Sequence, residues 1–218
     1  MAETTTSTYT IRFATEADVP VILELIRELA EYEHALHEVL ATEESLRETL
    51  SFPDPKAPDD GSGGTGFTRG YAKTILVVSH GKKTKNDDES ATGAAVAATP
   101  AAAGTTDDDD DDDDEEEVAG MALYFHNYST WTSAPGIYLE DLYVRPSHRG
   151  KGFGGALLSA LARECLRVGC KRLDWSVLKW NEPSIKFYEG ESVGAKRMSE
   201  WMGMRVDGDG LGRLANRK

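Results

Sequence analysis

The sequence has too few cysteines to build a fold on them. Its two, Cys165 and Cys170, cannot make a disulfide framework or, by themselves, a tetrahedral zinc site. Both stand among apolar residues and are expected to be reduced core thiols. An excess of basic residues is missing too, since 24 Lys and Arg face 38 Asp and Glu. That removes the general electrostatic footprint of a nucleic-acid partner. No apolar run approaches the roughly 20 residues that span a bilayer, so no membrane partner is expected. Residues 1–9 are Thr-rich and polar, without the basic start and apolar stretch of a secretory signal, and a cytoplasmic location follows as the expectation. The five histidines, His34, His37, His80, His126 and His148, show no metal-ligand spacing, and no metal is expected.

What is present suits one globular domain with residues to spare: 218 residues, 39% of them hydrophobic. The net charge is -14, of which eleven units belong to the unbroken acidic run 107–117, so the remainder carries only -3. Residues 80–118 combine lysines, acidic residues, an Ala/Thr stretch and this run. No helical or strand period there can bury a face, which reads as a disordered acidic insertion between two strands. The run keeps the chain solvated, or else gathers polycations over the roughly 8–10 Å that cellular salt allows. The organisation expected is a flexible N-terminus over 1–10, one domain over 11–206 interrupted by 80–118, and a tail over 207–218.

Within that domain, Ile11 to Phe13 reads as a strand. Thr15 to Asp18 resembles a capping box opening a helix that tolerates Pro20 in its first turn. Ile22, Leu25, Ile26 and Leu29 recur at helical spacing. Thr42 can cap a second helix over 43–50. Lys73 to Ser79, Gly120 to Tyr128 and Gly136 to Val144 read as strands, the last two forming a hairpin. A helix is predicted from about Gly155 to Val168, with Leu157, Leu158, Leu161, Ala162 and Cys165 inward and Gly169 as its stop. Leu173 to Val177 alternates like a strand, Asn181 caps a short helix through Tyr188, and Trp201 to Val206 is a predicted last strand. The order gives a mixed α/β sandwich, one sheet with helices on both faces.

The chemistry centres on residues 149–155, Arg149, Gly150, Lys151, Gly152, Phe153, Gly154 and Gly155, placed between a strand and a helix. Alternate glycines let the backbone approach an anion closely, where a helix N-terminus also favours negative charge. Arg145 and Arg149 add positive charge at the rim. This is a pyrophosphate cradle. Gly150, Gly152 and Gly155 also satisfy G-x-G-x-x-G, but a dinucleotide fold puts that pattern at its first strand and wants an acid ending the next. Here Asp174 lies inside its strand, and the Lys-Ser/Thr ending of a P-loop is absent. A glycine-rich turn with no ligand remains the plain structural alternative.

Arg149-x-x-Gly152-x-Gly154 resembles the acyl-CoA loop of the GNAT superfamily of N-acetyltransferases. "IRFATEADVPVILELIRELAEYE" (11–33), "YLEDLYVRPSHRGKGFG" (138–154) and "VLKWNEPSIKFYE" (177–189) resemble its spermidine/spermine and thialysine acetyltransferase branch. The resemblance covers essentially 11–206, apart from 54–70 and the insertion. It implies the GNAT-like α/β fold with a mixed, mostly antiparallel sheet, acetyl-CoA as cosubstrate, and a homodimer.

Carried over by position, Glu140 is the general base acting through water and Tyr188 the general acid that protonates the departing CoA thiolate. Asn181 lies close to the cofactor as well as capping its helix. The backbone of Leu142, Tyr143 and Val144 pairs with the pantetheine arm as an added strand would. Glu33 and Asp141 hold the substrate cation, and Tyr32, Trp131 and Trp201 line its pocket. The expected reaction is acetyl transfer to a primary amine of a small cationic metabolite, a polyamine or a lysine analogue such as thialysine. Acetylation of a protein N-terminus or lysine, and an idle CoA-binding interaction module, are the alternatives.

Overall fold

The apolar runs of the sequence become the centre of one sheet in the computed structural model, which describes residues 3–58, 66–81 and 115–217. Chain order is β1 (Thr4–Thr5), β2 (Tyr9–Phe13), α1 (Val19–Tyr32), α2 (Glu43–Thr49), β3 (Leu50–Ser51), β4 (Ala72–Gly81), β5 (Glu115–Ser129), β6 (Ala134–Val144), α3 (Phe153–Arg167), β7 (Leu173–Trp175), α4 (Glu182–Glu189) and α5 (Asp209–Ala215). Among the described residues the sheet runs β1-β2-β4-β5-β6-β7, with β3 beside β4. Pairing is antiparallel except at β3/β4 and β6/β7. The chain groups into two compact units, Met1–Ser176 and Val177–Lys218. The sheet and α1 to α3 lie in the first, α4 and α5 in the second.

Each face of the sheet is covered for a reason visible in the residues. Val19, Ile22, Leu23 and Leu25 of α1 and Leu46 of α2 join Leu76, Met121, Leu123 and Tyr143 in one buried cluster. Leu76, Met121 and Tyr143 are register partners across β4, β5 and β6, so they share a face. The neighbouring row belongs to α3, which touches β2, β4, β5, β6 and β7 and buries Phe153, Leu157, Leu158, Ala160, Leu161, Glu164 and Cys165. Ala162, expected inward, is exposed, and Glu164 takes the inward position instead.

The helix starts are fixed locally. Thr42 Oγ1 accepts from Ser45 N at 3.1 Å to cap α2. At the entry to α1, Asp18 accepts from Thr15 N at 2.7 Å and from both terminal nitrogens of Arg12 at 2.8 Å. Burial pushes the Asp18 carboxyl up, but Arg12 and Thr15 outweigh it and hold it at about 2.

Glu164, 0% exposed, is tolerated because Arg167 donates to both its oxygens at 2.8 Å. Burial pushes this carboxyl up, and the Arg167 hydrogen bonds bring it net below its ordinary value. A depressed carboxyl stabilises the fold at neutral pH and loses that contribution as pH falls through the lowered value. Arg167→Ala is therefore expected to cost about 3 kcal/mol at pH 7 in urea unfolding. The deficit should shrink in acid, where Glu164 takes a proton; an equal deficit at all pH values would make it a packing effect.

Several expectations are corrected by the structure. Residues 1–10 contribute β1 and the start of β2. β4 runs to Gly81 and β5 begins at Glu115, so both ends of the expected 80–118 insertion belong to the sheet; the rest of it lies outside the described residues. α3 begins at Phe153, two residues before the prediction. β7 stops at Trp175, short of Val177. Trp201 to Val206 form no strand: they are exposed and find no ladder partner among the described residues, and a strand exists only by pairing. The tail carries α5.

Candidate active site

The site is built on a defect in β6. Leu123 faces Asp141 and Tyr124 faces Leu139, so Glu140 has no opposing residue. Such a bulge bends its strand and re-aims the side chains around it. β7 pairs with β6 only at Ile137, Tyr138 and Leu139. From Glu140 to Val144, β6 therefore keeps β5 on one side and has no strand on the other among the described residues. This open edge is where an extended ligand arm would add as a strand.

Three carboxylates gather at the bulge. Glu140 is exposed, while Asp141 beside it and Glu33 at the C-terminal end of α1 are partly buried. Burial, then Glu140, then Glu33 push the Asp141 carboxyl up to about 6, and burial alone raises Glu33. Raised carboxyls at Asp141 and Glu33, with Glu140 beside them, favour the arrival of a cation.

The loop after β6 supplies the opposite charge preference. Gly150 has φ +78° and Gly152, the N-cap of α3, has φ +83°. An L side chain in that region costs roughly 1–2 kcal/mol. A Cβ at Gly150, Gly152 or Gly155 would meet nothing within 4 Å, so the approach to the first N–H groups of α3 is open. Those groups lack helical partners and carry the positive end of the helix dipole. This geometry fits a pyrophosphate. Lys151 is exposed beside it. The Phe153 side chain instead anchors the loop, edge-on to Tyr9 at 5.4 Å and stacked with His148 at 6.0 Å, leaving its backbone for a ligand.

The two arginines part ways. Arg145, expected at the rim, is committed elsewhere: Nη2 lies 2.9 Å from Glu24 and 3.0 Å from Glu28, and Nη1 lies 3.3 Å from Glu117. It ties α1 to β5 and the loop. Arg149 remains with the loop, where Nε donates to Val144 O at 3.0 Å. Its guanidinium carbon lies 5.2 Å from the Tyr32 ring centroid and 5.7 Å from that of Tyr143. Tyr32, expected in the amine pocket, thus stands against the glycine loop. The α1 spacing Glu24, Glu28, Tyr32, one residue every turn, was the signal for this docking face.

Trp131 is 88% exposed at the tip of the β5–β6 hairpin. Along β6 that is on the order of 20 Å from Asp141, so the chain does not bring it to its own acidic cluster. In the second unit, Asn181 Oδ1 accepts from Ser184 N at 3.3 Å and caps α4 as expected. Tyr188 lies in the last turn of α4, partly buried, and Trp201 is 68% exposed. Among the described residues no group of three or more His, Cys, Asp or Glu is placed to hold a metal, and no helix is long and apolar enough to cross a membrane.

Comparison with known proteins gives a consistent result. The model of the acetyltransferase (GNAT) family matches residues 95–194. L-ornithine N5-acetyltransferase from Arabidopsis thaliana is 33% identical, over 92% of this chain and 85% of that protein. Thialysine N-epsilon-acetyltransferase from Bos taurus is 33% identical, over 95% of this chain and 97% of that protein. Among solved structures, an integron cassette protein from the mobile metagenome of V. cholerae shares the fold with a TM-score of 0.61 at 22% identity, covering 97% of this chain and all of that one.

Proposed function

Since this chain belongs to the acetyltransferase (GNAT) family, in its thialysine and diamine branch, and is an acyl-CoA-dependent N-acetyltransferase, we propose that it acetylates a primary amine of a small cationic metabolite. The observation that carries this reading is the cluster of Glu33, Glu140 and Asp141 at the β6 bulge, adjoining the open edge that leads into the glycine loop. The relatives' names, an ornithine and a thialysine acetyltransferase, support an amine at the end of a short amino-acid side chain over a long polyamine.

In this reading the cosubstrate acetyl-CoA lies along Leu142, Tyr143 and Val144, with its pyrophosphate on the loop from Arg149 to Gly155. Asn181 belongs to the same cofactor site. The amine arrives protonated, since alkylammonium groups titrate near 10, and Asp141 and Glu33 receive its charge. Glu140, through water, takes the proton that nitrogen must lose to attack the thioester carbonyl. Backbone N–H groups of β6 polarise that carbonyl oxygen. As the new C–N bond forms and the C–S bond breaks, Tyr188 gives its proton to the sulfur. It is reprotonated through water by the second proton that the acylated nitrogen releases, while the first passes from Glu140 to solvent. The products are the N-acetylated amine and CoA thiol. Tyr32 and Trp201 complete the substrate contacts. A homodimer in the cytoplasm belongs to the same reading.

The test is CoA release from acetyl-CoA with ornithine, thialysine, lysine, putrescine, spermidine, spermine and a basic peptide. Turnover with a short diamine or amino acid is expected. Turnover with the peptide alone would make this a protein acetyltransferase, and CoA binding without any turnover would make it an interaction module.

A further inference from the structure

Arg149 is held by everything except the atoms that would meet an anion. Its Nε is spent on Val144 O, which fixes the side chain along the β6 edge. Tyr32 and Tyr143 stand against the guanidinium at 5.2 and 5.7 Å, within the range where a cation is drawn to an aromatic face. Among the described residues Nη1 and Nη2 meet no acceptor. Guanidinium binds anions through those edge N–H groups while its flat faces pack on rings. Tyr143 is itself fixed: it is buried in the α1-side cluster, and burial first, then Glu28, hold its phenol above the ordinary value, so its ring stays neutral beside the arginine. Glu28 in turn is tied to Arg145.

We propose that Tyr32 and Tyr143 are positioning residues for acetyl-CoA: together they hold Arg149 extended and ready, so that the loop binds the pyrophosphate without first ordering a long side chain. This rests on the reading of Arg149 to Gly155 as the acyl-CoA loop. It gives Tyr32 a task toward the cosubstrate, separate from any contact with the amine. It also places that task on the helix that Glu33 caps, so one element serves both halves of the reaction. Immobilising a rotamer-rich side chain on binding costs about 0.5–1.5 kcal/mol. At 1.4 kcal/mol per tenfold, removing the brace weakens binding roughly two- to tenfold.

The experiment is calorimetric titration of the full-length protein with CoA alone, no amine present. Tyr32→Leu is expected to raise Kd roughly two- to tenfold, and Tyr32→Phe, which keeps the ring, to restore it. In an Arg149→Ala background Tyr32→Leu should add nothing, because there is no guanidinium left to hold. A wild-type Kd in Tyr32→Leu overturns the brace, as does equal weakening in both backgrounds, which a general loosening of α1 would produce. Failure of the unmodified protein to bind CoA overturns the loop reading and the brace with it, and is told apart by occurring before any substitution is made.

Discussion

Tyr188→Phe is expected to lower kcat for acetyl transfer by about 10²–10⁴-fold, the range a positioned general acid supplies, while CoA still binds with its unmodified Kd. The substitution removes one oxygen from a residue in the last turn of α4, a helix secured at its other end by the Asn181 cap. The ring remains, so α4 should keep its packing and melting should be unaffected. What is lost, on the proposed mechanism, is the proton for the sulfur. Glu140→Gln makes the complementary loss, and the two defects should not multiply if the same transition state needs both proton movements. A Tyr188→Phe protein with unchanged kcat would remove Tyr188 from the chemistry and leave the acid to be found elsewhere.

Asp141→Asn should raise KM for the amine by at least 30-fold. Truncating or neutralising one partner of a buried charge pair costs about 2–5 kcal/mol, and each 1.4 kcal/mol is tenfold. The pH dependence follows from the same carboxyl. Asp141, raised to about 6, carries its proton below that pH and, in the proposed site, would no longer attract the ammonium. Amine affinity in the unmodified enzyme should fall as pH drops through about 6, and in Asp141→Asn the same step should be absent.

Stability runs the other way. A carboxyl whose folded value lies above its unfolded value favours the folded state at low pH, and that advantage is lost as pH rises through the interval. From an ordinary value of 3.8 to about 6, holding Asp141 ionised at pH 7 costs on the order of 3 kcal/mol. Asp141→Asn should therefore melt at a higher temperature than the unmodified protein at pH 7, with the gap closing toward pH 4. A variant that lost amine affinity and stability together would show Asp141 to be a structural residue.

What could be read in the chain was what depends on neighbours in sequence. Thr42 and Asn181 cap their helices through residues three positions on, and Gly152 serves the turn it sits in. The loop from Arg149 to Gly155 was legible because backbone chemistry alone demands glycine there. Arg145 was not: its partners Glu24 and Glu28 lie more than a hundred positions away, and only the fold reveals that three carboxylates have claimed it. Tyr32 was seen as an amine contact, because an aromatic beside Glu33 suits an ammonium; that Arg149 is also a cation within reach of its ring required the docking of α1. The bulge at Glu140 is invisible in "YLEDLYV", which alternates acceptably whichever way it is paired. Trp201 to Val206 has the composition of a strand, but composition cannot provide a partner.

The pairing of Gly81 with Glu115 has a consequence for how this lineage could change. The two residues are one rung of a ladder, about 5 Å apart, and everything between them begins and ends at that rung. Where a chain leaves a domain and re-enters at the same point, the length of the excursion is nearly neutral to the fold, since each doubling of a loop costs only about 0.6 kcal/mol. That rung is thus a place where a reporter or affinity module could be joined to the acetyltransferase domain with its two ends already adjacent.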